Sequence, residues 1–568
     1  MAYDANSVEG RERAETLMRR HAEMESERAN WDILWERIAE IVFPRASEAF
    51  ITKPQYQGEL KGEKVFDNTP TLALDKFASA TGSMLTPDTG QWHGLRATDE
   101  DLQDDEEVKE YLELAARMLF DARYAPHTNF SSQAHECWLS NGAFGTCAMF
   151  VDEALGRNLR YRSMHLSQIY IGENHQGQID RVHRGKFRLK AYQVAQHAND
   201  PNPSRRWAIP PCVQKALDSN RPNDEFEFLH CVYPNLAVDD RFADFRGMAY
   251  TSVYISCTDK MIVHEGGYRT MPYAVGRYTT GPGETYGRSP AMTVFRDILM
   301  LQEMNKSVIR QAQLSLEPPL LLSDETALAP WQMDPKALNY GYLTEDGTPL
   351  VQALRPEGDL GVGLEMIQDR RQAVNDAFLV TLFQILVDRP NITATEALLR
   401  AQEKGQLLGP TLGRQQSEFL STVIERELDI LSAAGVLPPM PDVLMERGGA
   451  VAIEFRSPLN KLQRADDAVG ILRGIEALAP IAAVDPTIYK RIDLSKASRI
   501  VFEASGAPAD VLRTDDEIAE MEAQEQQQVD LDNLARLAPA GARAAKDIAQ
   551  AEATAANIPQ PIPQVQPA

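Results

Sequence analysis

The sequence is poor in the features that announce redox chemistry, membrane insertion or a tight grip on nucleic acid. Only five cysteines occur in 568 residues: Cys137, Cys147, Cys212, Cys231 and Cys257. None forms a C-x-x-C pair, which argues against zinc knuckles, thioredoxin-like chemistry and a disulfide framework. They are read as small core residues. No stretch reaches eighteen uncharged apolar residues, so no membrane span is expected. Met1-Ala2-Tyr3-Asp4 leads into charged residues rather than an apolar signal core, and the expected compartment is cytoplasm. Basic residues are in deficit, 58 Lys and Arg against 82 Asp and Glu, for a net charge of −24. A protein that gripped DNA through its phosphates would carry the opposite sign on its binding face. Any DNA partner is therefore expected to be held loosely.

Catalytic motifs are equally scarce. H-E-x-x-H, G-x-S-x-G and an EF-hand loop are all missing. The nearest approach to a phosphate-binding loop is Gly281-Pro282-Gly283-Glu284-Thr285-Tyr286-Gly287-Arg288-Ser289. It follows the strand-like Tyr273–Tyr278 and precedes a helix, as a P-loop should. Five residues rather than four separate Gly281 from Gly287, however, and Arg288 stands where a lysine is needed, so a glycine-rich turn is expected. His127, His135, His165, His175 and His183 crowd one third of the chain but lack helical ligand spacing with a carboxylate. They are read as surface and packing residues. Asp99 to Glu113 holds nine acidic residues and one lysine, without the turn pattern of a cation loop; a solvated helix face is the expectation. Asn391-Ile392-Thr393 matches a glycosylation sequon, which has no meaning in cytoplasm. No catalytic, cofactor or metal residue is assigned.

What is present is long helical patterning around a β-rich middle, within a length that suggests three or four domains. Residues 8–43 predict an amphipathic helix, with Trp31, Leu34, Trp35, Ile38, Ile41 and Val42 in helical phase and Pro44 as the stop. A second helix is expected at 69–85, capped by Thr69 with Pro70 in its first turn, then a short strand at 91–95. A further helix at 130–143 leads into Thr146–Val151. Strand-like segments follow at Leu159–Tyr161, Ile169–Ile171, Gln178–Arg184, Phe226–Val232, Ala249–Ile255 and Met261–Glu265, spaced closely enough to be antiparallel. Beyond Pro290, one long helix is expected at 291–316, ended by Glu317-Pro318-Pro319. Strand candidates at Pro319–Leu322 and Thr348–Ala353 lie in the turn-rich stretch after it. A second long helix is expected at 363–387, broken by Asp388-Arg389-Pro390-Asn391-Ile392. Thr393 and Glu396 then stand at capping-box spacing. From about 460 the chain is Ala-rich and helical, closing in an Ala, Gln and Pro tail. The fold class is α+β, mainly helical.

The helix–insert–helix layout and several ordered strings resemble the head-to-tail connector (portal) family of short-tailed, podovirus-type phages. The strings are Trp35-Glu36-Arg37-Ile38 through Phe43-Pro44, and Phe66-Asp67-Asn68-Thr69 through Met84-Leu85-Thr86-Pro87 to Trp92. They continue with Asn141-Gly142-Ala143-Phe144-Gly145-Thr146, Arg277 with Tyr286-Gly287-Arg288-Ser289-Pro290, Glu317-Pro318-Pro319, and Thr393-Ala394-Thr395-Glu396. No one string is diagnostic; their joint order over 31–430 is. The resemblance implies a homo-oligomeric ring, a dodecamer, around an axial channel at the portal vertex of the virion. It implies a wing (1–290 and 394–459), a stem (helices 291–316 and 363–387) and a clip (317–362) bounded by Pro318 and Pro319. A tunnel loop (388–393) with Asp388, Arg389 and Asn391 in the DNA channel, a crown (460–523) and a tail (524–568) complete it. The implied partners are double-stranded DNA passing through, the terminase large subunit, tail adaptor proteins, and major capsid and scaffold proteins, with assembly in the host cytoplasm and no membrane.

The charge fits that implication. Twelve copies at −24 each carry about −290, and a channel for a sliding polyanion should make few strong phosphate contacts. Arg296, Lys306, Arg310, Arg370 and Arg371 on the stem helices are either weak guides on the channel wall or, the favoured reading, partners in inter-subunit salt bridges. Arg389 either faces the lumen or pairs with Asp388 or a neighbouring subunit. Two other readings are weighed: an enzyme such as a packaging ATPase or nuclease, which lacks its residues here, and another ring or scaffold component such as a tail adaptor. Adaptors are usually much shorter, and scaffolds lack the mixed α/β wing.

Overall fold

A computed structural model describes residues 8–50, 58–103, 105–154, 158–239, 241–242, 245–322, 338, 343, 346–347, 349–353, 360–381, 409, 413–456, 470–471, 473–475, 478 and 497. The chain divides into two units, Met1–Gln463 and Arg464–Ala568. In the second, the described positions are helical. Everything below concerns the first.

Helix α1 (Val8–Val42) begins the unit. It buries Ala14 and Leu17 near its start and Trp35, Ile38, Ala39 and Val42 near its end, and Pro44 opens a 3-10 turn directly after it. Helix α2 (Thr69–Leu85) has Asn68 at the N-cap, without a side-chain cap bond. The cap therefore is not Thr69: the Thr69 N–H donates instead to the Asp67 carboxylate at 2.7 Å. Strand β1 (His93–Ala97) precedes α3 (Glu106–Arg123), where Asp105 accepts from the Val108 N–H. The acidic run thus supplies a 3-10 turn at Glu100–Leu102, a cap and the first half of α3, and the helix runs ten residues past its end. Helix α4 (Phe130–Phe144) is almost wholly buried in its second half and stops at Gly145 in the left-handed conformation, the usual glycine stop.

The β-rich middle forms two sheets. In the first, β2 (Thr146–Ala154) lies between β3 (Asn158–Met164) and β9 (Tyr273–Arg277). The second is a five-stranded meander in chain order: β4 (Ile169–Glu173), β5 (Ile179–Lys190), β6 (Glu225–Pro234), β7 (Tyr250–Ser256) and β8 (Met261–Tyr268). All its pairings are antiparallel, as the close spacing predicts. The meander is covered on both faces. Phe187, Phe228 and Val263 pack with Val194, Trp207 and Val213 around the short helices α5 (Ala191–Ala198) and α6 (Pro211–Asp218). Their neighbours Leu229, Val253, Ile255 and Ile262 turn the other way, onto Ala14 and Leu17 of α1, because strand side chains alternate faces.

After β9 come α7 (Pro290–Thr293) and α8 (Phe295–Leu316). The single helix expected at 291–316 is broken at Val294, whose φ of −104° and ψ of 15° leave the helical region. Strands β10 (Leu320–Leu322) and β11 (Val351–Ala353) pair antiparallel. Helix α9 (Leu360–Ala377) follows. It starts three residues before the expected 363 and is interrupted after Ala377, Val380 and Thr381 being helical again; 382–387 lie outside the described residues. Phe378 and Leu379 form a turn, with Leu379 at a φ of +60°. A π-helical turn at Gln415–Leu420 leads into α10 (Ser421–Ala433), then α11 (Asp442–Glu446) and β12 (Val451–Phe455), which pairs antiparallel with β1. The fold is mixed helix and sheet, with more residues helical than extended.

One buried ion pair ties the late helix to the early ones. Arg123, at the end of α3, donates from Nε to the Glu427 carboxylate of α10 at 2.9 Å, and both side chains are fully buried. Tyr161 donates to the same carboxylate at 2.6 Å, and the guanidinium lies over the Trp92 ring. His93 presents Nδ1 to Arg123 at 3.2 Å; burial, then Arg123 and Arg456, press its pKa down to about 2. Glu427→Gln would leave a buried guanidinium without its counter-charge, at a cost of about 3–5 kcal/mol. A large fall in melting temperature of the purified chain is the expected outcome, and an unchanged one would contradict this account.

Candidate functional site

Helices α8 and α9 run antiparallel to each other. Arg370 Nη1 donates to Asp297 Oδ1 at 2.7 Å near one end, and Gly363 lies against Val308 toward the other. Both helices are held by the short segment before α2. Gln302 of α8 accepts from the Phe66 and Asp67 N–H groups at 2.7 and 2.8 Å and donates to the Asp67 carbonyl at 2.9 Å. The Asp67 carboxylate accepts from Asn305 of α8 and, at 2.9 Å, from Arg371 Nε of α9. One aspartate thus meets both helices. Below it, Phe378 packs on Phe77 of α2 with ring centroids 6.2 Å apart.

Three of the five stem-helix cations have their partners inside the same chain. Arg370 pairs with Asp297, Arg371 with Asp67, and Lys306 with Glu303. These three thus have a carboxylate partner within one chain. Arg296 and Arg310 are exposed and form no ion pair among the described residues.

The far ends of the helices are brought together by the chain between them. Glu317 still donates its N–H to Gln313 at 2.8 Å. Pro318 and Pro319 have no N–H to continue the ladder, and β10 begins at once. β10 pairs with β11 in the register Leu320 with Ala353 and Leu322 with Val351. The strands expected at Pro319–Leu322 and Thr348–Ala353 are therefore present in shorter form, and they pair with each other. Asp388, Arg389 and Asn391, with Thr393 and Glu396, lie outside the described residues.

The Gly281–Ser289 segment is a turn packed on the end of α4. The Gly287 N–H donates to Thr146 Oγ1 at 2.9 Å, and the Ser289 hydroxyl donates to the Ala143 carbonyl at 2.8 Å. Tyr278 N–H reaches the Gly145 carbonyl at 2.9 Å. Arg288, the residue in the lysine position, is half-exposed; its Nε donates to Glu284 at 2.7 Å and its guanidinium lies over Trp31. The Glu284, Gly287 and Arg288 amides and the loop's cation are thus committed to the protein itself.

Arg277 carries more weight than the sequence reveals. Almost fully buried, it pairs with Glu173 of β4 and with Glu418 of the π-helical turn, and it donates to the Thr285 and Gly177 carbonyls. Gln415 returns a bond to the Arg277 carbonyl at 2.7 Å. A Cβ on its neighbour Gly276 would meet Gln415 Oε1 at 2.5 Å and Phe419 Cβ at 3.0 Å, so a larger residue there would have to displace the Gln415 amide.

The remaining candidates fall apart spatially. His165 is half-buried and hydrogen-bonded to Ser167 at 2.8 Å, with desolvation bringing its pKa to about 4. His183 lies against His21, 5.8 Å between centroids. His127 and His175 are exposed and His135 half-buried. Cys137, Cys147 and Cys231 are buried and all five thiols are free. Among the described residues no cluster of His, Cys, Asp and Glu could hold a metal, and no helix is long and apolar enough to cross a membrane.

The Asp67 clamp is testable by pH. Burial alone would raise this carboxyl, but the Thr69 hydroxyl and N–H, with Arg371, outweigh it and hold its pKa below the ordinary value. Its stabilisation is therefore present above the unfolded carboxylate range and is lost as pH falls through the lowered folded value. Asp67→Asn is expected to cost about 1–2 kcal/mol at neutral pH, the half-exposed Arg371 being partly screened. The deficit should shrink below about pH 4; denaturant melts at pH 7 and pH 3.5 measure it.

The bacteriophage head to tail connecting protein family model matches residues 14–512. The probable portal protein of Bordetella phage BPP-1 is 25% identical over 545 residues, which cover 95% of this chain and 96% of that protein. The portal protein of Salmonella phage epsilon15 is 24% identical over 550 residues, with 95% and 96% coverage. That of Enterobacteria phage T3 is 24% identical over 342 residues, covering 59% of this chain and 60% of its own. The segments that matter most to these contacts, Phe66–Thr69, Asn141–Thr146 and Tyr286–Pro290, all lie inside the matched span. With that match over most of its length, the chain belongs to the bacteriophage head to tail connecting protein family, structural components of the virion rather than enzymes.

Proposed function

We propose that copies of this chain close into a ring, a dodecamer, at one capsid vertex and form the channel through which double-stranded DNA is packaged and ejected. The observation that carries the proposal is the antiparallel α8–α9 pair bracketing an insert whose base is closed by β10 and β11, inside the family match. On this reading the pair is the stem and the insert 317–362 the clip. Residues 1–290 and 394–459 form the wing, 388–393 the tunnel loop and 460–523 the crown, followed by the 524–568 tail. The terminase large subunit and later the tail adaptor dock at the clip, while major capsid and scaffold proteins meet the wing. Exposed apolar groups on the helix pair support a neighbour there: Met300, Ile309 and Leu314 on α8, Leu364 and Met366 on α9, more than an isolated chain usually leaves in water.

Negative-stain images of the purified chain should show closed rings with a central hole, and the rings should hydrolyse no ATP. A stable monomer, or an ATPase that depends on Arg288, would overturn the reading. For the clip, Pro318→Ala with Pro319→Ala should let α8 run on past Leu316; rings should still form, but docking of the packaging motor should fail. Normal packaging by the double variant would remove the clip boundary from that position. For the channel, a ring of Arg389 side chains is placed at one level, each meeting a phosphate weakly beside Asp388 while Asn391 lies alongside. Arg389→Glu should leave assembly intact and impair DNA packaging or retention in a salt-dependent way; unaltered packaging across salt concentrations would rule this out.

A further inference from the structure

A cavity of about 470 Å³ opens between the first half of α1 and the meander, lined by Arg13, Arg20, Asp180, Arg181, Tyr233 and Leu236 among others. Three arginines around one hollow run against a chain whose net charge is −24. Arg13 is engaged: it bridges to Glu265 at 2.6 Å and donates to the Tyr233 hydroxyl at 3.0 Å. The other two are not so committed. Arg20 is exposed, and neither it nor Arg181 forms an ion pair among the described residues. The Arg181 Nε is buried without a hydrogen-bond partner, and so is Oδ1 of the one carboxylate in the lining, Asp180. With Arg13 paired to Glu265, Arg20 and Arg181 leave the hollow net positive, and an unpaired buried donor costs free energy until an acceptor arrives. The rim is apolar: Leu236 is 98% exposed, with Val238 and Phe242 beyond it on the same loop.

This combination fits an acidic protein segment that also carries an apolar side chain. It suits a nucleic-acid backbone poorly, since that would have to approach a strongly acidic molecule with nothing to place on Leu236. The same chain displays such a segment on α3. Glu107, Glu110, Glu113 and Asp121 are exposed on it against two exposed cations, Lys109 and Arg117, so the outer side is net acidic. The three glutamates spread over about 9 Å of helix, and Leu114 beside them is 47% exposed. Helix α3 buries its other side on β1 and α10, whereas Arg13 and Arg20 sit on α1 and Arg181 on β5 of the meander. The two patches therefore share no residues, and pairing them between copies makes a head-to-tail contact, the kind that generates rings.

We propose that the arginine cavity receives the acidic outer face of α3 from a second copy of this chain. The proposal rests on the ring reading above and adds a contact to it. The test compares the full-length chain with three charge-reversed variants and one neutral variant by sedimentation velocity at low and high salt. The reversed variants are Arg20→Glu with Arg181→Glu, Glu110→Arg with Glu113→Arg, and all four together. Each pair alone should lower the ring fraction at least tenfold, and the four together should restore it, since reversed charges then meet again. Arg20→Gln with Arg181→Gln should give a smaller loss with an unchanged melting temperature, which separates assembly from folding. Parent-like rings from either reversed pair, or no recovery in the quadruple variant, would overturn the proposal while leaving the ring reading intact. A parent chain that never forms rings would overturn the ring reading itself.

Discussion

The backbone contact between Gly145 and Gly287 is the constraint on which the rest of the unit depends. Gly145 stands at a φ of +75°, and a Cβ on it would come within 2.5 Å of the Gly287 carbonyl oxygen. A Cβ on Gly287 would in turn collide with the Gly145 carbonyl. Two chain segments 142 positions apart thus touch main chain to main chain, and no side chain fits between them. The contact ends α4, starts β2, and sets where the turn before α7 lies. Trp35 of α1 seals it from the side by donating its indole N–H to the Phe144 carbonyl at 3.1 Å. A residue larger than glycine at either place would have to separate α4 from α7, and with it the footing of α8.

Around that contact the buried cations act as struts. Arg28, fully buried in α1, donates to the Leu166, Ser167 and Ile169 carbonyls and lies over the Tyr170 ring. Arg277 joins β9 to β4 and to the π-helical turn, and Arg123 joins α3 to α10. Arginine suits these places because its planar fork reaches several acceptors at once and stays charged. The unit thus places some of its scarce cations inside, where each is matched by carboxylates or carbonyls.

Helix periodicity made α1, α2 and α8 legible, and strand spacing made the antiparallel meander legible, because both signals are local. The misses share a cause. Nothing at Thr293-Val294-Phe295 marks a break; α7 and α8 separate because Ser289 and Gly287 fix one on α4 while Gln302 fixes the other on Asp67. Helices α5 and α6 are only eight residues each, too short to show a period between strands. The pairing of β1 with β12, and of Arg277 with Glu418, joins residues more than a hundred positions apart, which local pattern cannot reveal. The strings Phe66–Thr69, Asn141–Thr146 and Tyr286–Pro290 were legible only as a resemblance. Their physical content, a two-helix clamp and a glycine contact, needed coordinates.

The same geometry explains how the two ends of the helix pair can differ in character. Near Asp67 the pair is anchored by buried Gln302, by Val374 and Phe378 in the core, and by a carboxylate shared between helices. Toward Leu316 the buried residues run out: beyond Gln302, α8 has none, and Leu314 and Leu316 are exposed. A helix held at one end and solvated at the other transmits a rotation at its base to its tip, because its backbone hydrogen bonds resist bending more than side chains resist repacking. The break at Val294 lies just before the anchored end, between the glycine contact and the Asp67 clamp. Displacement of the insert would therefore be resisted first at Asp67, and only then at Gly145 and Gly287.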